Sequence, residues 1–176
     1  TSSLNEIVKF YDNIRVFDEA TEVDGILYIP WINRENKERT LQVIADSKAK
    51  IAFGHLELTG YKVNAGSVMN SGYDPASLAH FEHVYSGHFH MNHTIGNVTY
   101  LGSVQQHSWA DVFNTHGFHL FDTETHKIKQ IENPHTMYMY IDSEAHNKYD
   151  RSQIEGRHIR IRHPADIKRT QLQKVI

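Results

Sequence analysis

Three histidines fall within six positions of one stretch, His88-Phe-His90-Met-Asn-His93, in a chain of 176 residues that holds 14 histidines. A neutral imidazole offers a lone pair to a transition metal, and histidine is the commonest such ligand. If residues 88–90 are extended, His88 and His90 point to the same side. They can then bind one metal ion, or one each of two ions about 3.5–4 Å apart. His55 has a matching context: an apolar run ends at Gly54 before His55, as Val84-Tyr-Ser ends at Gly87 before His88. Ligands of open α/β sheets gather beyond the carboxyl ends of the strands, so both Gly-His ends point at one rim. A single Gly-His after a strand is ordinarily a solvated loop. The repetition makes His55, His88 and His90 the candidate metal ligands.

The donor set is one-sided. A two-metal hydrolytic centre needs carboxylates to bridge and neutralise the ions, and no Asp or Glu occupies a comparable strand-end position. Glu57 is close to His55 and would share its face in an extended stretch, as a partner for a ligand or simply as a solvated side chain. On these grounds the site is half built.

The elements that must position these residues can be read from periodicity. Ser3-Leu-Asn-Glu6 is a capping box, and Leu4, Ile7, Val8 and Tyr11 follow on one helical face. Residues 13–18 and 26–31 read as two antiparallel strands joined by a polar link with Asp24-Gly25. Residues 35–49 carry a helix pattern with Leu41, Ile44 and Ala45 inward. Residues 50–54 and 83–87 are short apolar strands, 59–73 a loop, and 74–81 a helix capped by Asp74 with Pro75 at its first position. Strands are expected over 97–103, 117–122, 127–133, 137–142 and 157–163, with a tight link at 123–126 and a short helix at the end. Helix-separated strands followed by a run of strands predict a layered α/β (α+β) fold, a sheet packed against an antiparallel sheet. Residues 142–153 are the expected linker.

Composition bounds the rest. Hydrophobic residues at 39% and charged residues at 22% fit a globular chain of one domain. No apolar run approaches the length of a membrane span. The absence of cysteine excludes a disulfide scaffold, a thiolate zinc site and a cysteine nucleophile, and fits a reducing cytoplasm. The chain begins at Thr1 and all four methionines are internal, so a fragment or processed product is expected. Residues 151–176 carry a net charge of +5 and residues 1–150 a net −8, a basic tail suited to a polyanion on an acidic body. In 157–163, His158, Arg160 and Arg162 face one way and Ile159 and Ile161 the other. That makes Arg157, Arg160 and Arg162 candidate DNA contacts, or an ordinary solvated strand face.

Residues 51–60, 83–106 and 117–133 resemble the second half of a calcineurin-like metallophosphoesterase. Within that superfamily they are most similar to SbcD-type DNA-repair nucleases and their tailed-phage relatives in recombination. The resemblance implies the second half of a four-layer sandwich, mixed sheets flanked by helices. Residues 1–141 would be the C-terminal half of the nuclease domain, and 142–176 a linker and the start of a basic DNA-binding or capping region. It implies that His55 and His88 bind one Mn2+ and His90 another, for exonuclease and endonuclease hydrolysis of phosphodiester bonds. The implied partners are DNA, an SMC-like coiled-coil ATPase and a second copy of the nuclease, in the cytoplasm of the host if phage-encoded. The earlier motifs of that family, Asp-x-His, Gly-Asp-x-x-Asp and Gly-Asn-His-Asp, do not occur here. The chain alone is therefore expected to be inactive.

Two other readings stay open. The spacing His88-x-His90-x-Asn92-His93 nearly fits metallo-β-lactamase-fold hydrolases and would recruit His93, although Asn92 stands where they need aspartate; otherwise His93 is a loop neighbour of the site. Alternatively the chain is a non-catalytic module that binds DNA or the ATPase. Trp109 and Asp111 rim a DNA groove or anchor the core, and His116 and His119 read as structural.

Overall fold

The computed structural model describes residues 3–164, apart from the side chains of residues 3 and 145–147. The expected terminal helix lies outside the described residues. Asp24 and Gly25 both have positive φ, 53° and 76°, which suits a two-residue hairpin turn matched to strand twist. The turn joins β1 (Thr21–Val23) to β2 (Ile26–Ile29), with Val23 opposite Ile26. The strand expected over 13–18 is therefore displaced to β1. A tight turn pairs the residues immediately before it, and 13–18 becomes an irregular approach in which Phe17 stacks on Tyr28 at 5.3 Å.

β2 runs parallel to β3 (Ile51–Gly54), β3 to β6 (His83–Ser86), and β6 to β8 (Val98–Tyr100). β7 (His93–Ile95) adds antiparallel to β8, giving a mixed six-stranded sheet in the order β1-β2-β3-β6-β8-β7. Leu27, Ala52, Val84 and Val98 are in register and wholly buried on one face. Against them lies α2 (Lys37–Asp46), through Thr40 and Ile44. Ala45, expected inward, is exposed, because the buried pair one turn apart rotates it to solvent. The opposite face presents Ile26, Ile51 and Tyr85, covered by Phe121 and Ile128. These belong to the antiparallel hairpin β9 (Gly117–Phe121) and β10 (Ile128–Glu132). The fold is thus α/β (α+β), with layers on both faces of a mixed sheet.

The amino-terminal helix is shorter than its sequence pattern. α1 (Ser3–Ile7) passes into a 3-10 turn over Val8–Phe10, and Leu4, Ile7, Phe10 and Tyr11 are exposed. A short helix whose apolar side chains stay largely in solvent has little to hold it. Residues 74–81 likewise form only one 3-10 turn, Pro75–Leu78, although Asp74 caps it as expected through the Ala76 amide at 2.9 Å. The expected loop at 59–73 contains a small hairpin, β4 (Lys62–Asn64) with β5 (Ser67–Val68). Beyond β10, β11 (Tyr138–Asp142) pairs parallel with β12 (His158–Arg162). The connection holds a 3-10 segment, Ser143–Lys148, and the four-residue α3 (Arg151–Ile154). Buried Gln106 ties this unit to the main body by accepting from the Met137 and Tyr138 amides, each at 2.8 Å. No helix among the described residues is long and apolar enough to cross a membrane.

Candidate functional site

Four parallel strands, β2, β3, β6 and β8, end on the same rim, and the residues that follow them build the site. His55 follows β3 and His88 follows β6; their rings stand edge to face with centroids 5.3 Å apart. Trp31, after β2, lies 5.6 Å from His55 and 5.1 Å from His88. Gly87 makes the contact feasible: a Cβ there would sit 2.8 Å from His55 Nδ1. Gly87→Ala is therefore expected to push His55 off its neighbour and cost about 1–3 kcal/mol, read as a lower midpoint in denaturant unfolding.

The segment carrying His55 and Glu57 is pinned from below. Buried Ser86 accepts from the Leu56 amide at 2.9 Å. Buried Tyr100 donates to the Leu56 carbonyl at 2.8 Å and accepts from the Leu58 amide at 3.2 Å. Burial pushes the Tyr100 phenol well up, so it remains a donor. Burial, and then the charge His88 would carry, lower the pKa of His55 below 6.5. His55 thus stays in the neutral form that a metal requires.

Residues 88–90 are not extended. His88 has φ 89° and Phe89 turns into the core, 4.6 Å from the Tyr100 ring. The two histidines are consequently steered to different carboxylates. His88 Nε2 is 3.8 Å from Glu57, and His90 Nδ1 is 3.4 Å from Asp111. Both still border one cleft of about 330 Å3, whose far wall includes Asn64 and Met69 of the β4–β5 hairpin region. Asp111 is buried and caps a 3-10 turn, Trp109–Asp111, in a capping box with Ser108. Burial pushes its carboxyl up, but the His107 and Ser108 amides, the Ser108 hydroxyl and the charge His90 would carry when protonated outweigh this and hold it below the ordinary carboxylate range. An ionised Asp111 favours a proton on His90 Nδ1 and leaves Nε2 free, the arrangement that orients many metal-bound histidines.

The fit to a metal is partial. Neighbouring neutral imidazoles suit one side of a centre, but among the described residues no three His, Asp or Glu form a group that could hold an ion. His93 is engaged elsewhere: Nε2 accepts from the Lys62 amide at 3.1 Å, Nδ1 faces the Met91 carbonyl at 3.0 Å, and the ring stacks on Tyr100. Trp31 and the Asp111–His90 contact were hidden in the sequence. The first reads as the end of a strand, and the second joins residues 21 positions apart through a turn with no apolar period.

His116 and His119 sit within the fold. His116 Nε2 meets the Asp111 carbonyl at 2.9 Å, and His119 Nε2 meets the Asn92 amide group at 3.2 Å. Burial lowers the His119 pKa below 6.5. Above that pH both folded and unfolded forms are neutral. As pH falls through it, the unfolded chain takes up the proton first, so stability declines until the folded group also protonates. His119→Gln is expected to flatten the fall of melting temperature between about pH 7 and 5, relative to wild type.

Arg157, Arg160 and Arg162 lie at β12, apart from the histidine pair. Arg157 approaches Met139 Sδ at 3.9 Å, Arg160 covers the Trp109 ring at 4.0 Å, and Arg162 bridges to Asp142 at 3.0 Å. The chain is 33% identical over 160 residues to exonuclease subunit 1 of Enterobacteria phage T4, a match covering 89% of this chain and 47% of that protein. It thus spans about half the length of this curated relative. No family model matches it.

Proposed function

We propose that this chain is part of a metal-dependent DNA nuclease subunit acting in recombination and repair. The observation that carries the proposal is the meeting of His55 and His88 at a strand-end rim, in a chain similar to an exonuclease subunit. His55 and His88 would hold one divalent ion, Mn2+ by resemblance to metallophosphoesterases, and His90 would hold a second. Such ions activate water and neutralise charge on the scissile phosphate. Glu57 and Asp111 keep His88 and His90 oriented, and the remaining donors come from outside the described residues. Arg157, Arg160 and Arg162 serve DNA contact. An SMC-like ATPase and a second nuclease copy are the proposed partners, in the host cytoplasm.

The isolated chain is expected to cleave no labelled DNA with Mn2+, whereas a whole protein carrying it cleaves. Metal-dependent cleavage by the pure chain would contradict an externally completed site. A second reading, a non-catalytic binding module, draws on the lack of a three-donor group among the described residues. Binding of DNA or the ATPase without cleavage by the whole protein would favour it.

A further inference from the structure

The turn Trp109–Asp111 faces two ways. Asp111 reaches His90, while the Trp109 ring lies 5.1 Å from Tyr138 and 5.2 Å from Tyr140 on β11. Phe113 extends the array, stacked on Tyr140 at 5.7 Å with the rings 4° from parallel. From β12, Arg160 lies over Trp109 at 4.0 Å and Arg162 over Tyr140 at 5.3 Å. A packing role accounts for Trp109 and Tyr138, which hold the β11–β12 pair to the body. It does not account for Phe113, which is 73% exposed with only one face on Tyr140. Nor does it account for Arg160, which makes no ion pair among the described residues. Residues 151–164 carry four arginines and one glutamate, a net of +3.

We propose that this array is a platform for the unpaired bases of single-stranded DNA. A base stacks on the open face of Phe113 and continues the ladder of rings, while Arg160 meets an adjoining phosphate; Arg162 stays bridged to Asp142 at the edge of the array. Aromatic faces beside basic side chains bind single strands because every base has a π-face, whatever the sequence. In a duplex those faces are covered, so the platform discriminates the two forms. A strand held here lies one short turn from His90, and so would be presented to the site. The inference rests on the nuclease-subunit reading and names the form of its substrate.

The test is a fluorescence-anisotropy titration of metal-free protein, in EDTA, against labelled oligo-dT and a blunt duplex of equal length, over a series of salt concentrations. Wild type is expected to bind oligo-dT more tightly than duplex. Phe113→Ala should weaken oligo-dT binding by about 5- to 100-fold with an unchanged salt slope and unchanged duplex binding. Phe113→Tyr should retain the affinity, and Phe113→Leu, which keeps the apolar contact with Tyr140, should lose it. Arg160→Gln should lower the salt slope by about one contact. No oligo-dT binding, a change below two-fold in both Phe113→Ala and Phe113→Leu, or equal losses on duplex would overturn the platform. Because no metal or cleavage enters the assay, those outcomes leave the nuclease reading standing. Loss of cleavage alone bears on the nuclease reading and not on the platform.

Discussion

Tyr100→Phe is expected to destabilise the protein by about 2–4 kcal/mol, because two buried groups lose their partner together. The Tyr100 ring is wholly buried at the end of β8, between Phe89, Tyr61 and His93, and phenylalanine would leave those ring contacts in place. What disappears is the hydroxyl that binds the Leu56 carbonyl and the Leu58 amide. Each orphaned group costs about 1–3 kcal/mol of desolvation, whereas a solvated hydroxyl costs almost nothing to remove. Urea unfolding should show a lower midpoint with an unchanged slope. A midpoint within error of wild type would mean that water replaces the hydroxyl. The same bonds hold the segment between His55 and Leu58, so the variant should also loosen the site.

His88→Ala in the whole protein is expected to lower Mn2+-dependent hydrolysis by more than about 100-fold, exceeding the roughly 10- to 100-fold cost of losing an outer contact to a metal ligand. His88 touches His55, Trp31 and Glu57 at once. Its backbone has φ 89°, a conformation alanine tolerates poorly, so a small loss of stability accompanies the change. His88→Asn, which accepts positive φ more readily, separates the two effects. Activity lost in both variants, with the melting temperature restored only in the asparagine one, assigns the loss to the imidazole. Asp111→Asn should act more mildly, by about 10- to 100-fold, through His90.

The parts legible in the sequence were those with a local signal. Gly54-His55 and Gly87-His88 each end an apolar run, and parallel pairing of β3 with β6 then brings the two histidines together. The β9–β10 hairpin announced itself by two strand patterns and a short polar link, and Asp74-Pro75 by its capping chemistry. The region around 13–18 misled because its β-branched and aromatic residues fit a strand, yet the Asp24-Gly25 turn fixes the pairing at 21–23. Strand alternation puts His90 beside His88, but Phe89 goes into the core and the backbone turns through positive φ to let it. The Asp111–His90 contact and the approach of Trp31 arise only when strand ends and turns distant in sequence share one rim. Neither has a periodicity to betray it.

On the proposed reading, His55 and His88 serve a single metal. A double-mutant cycle tests it most directly: Mn2+-dependent release of nucleotides from labelled DNA by the whole protein, for wild type, His55→Ala, His88→Ala and the double variant. Each single change is predicted to cost more than about 100-fold, and the double change no more than the worse single one, since residues acting as a unit are not additive. Folded single variants that cleave within about three-fold of wild type, or losses that multiply as independent sites do, would contradict it.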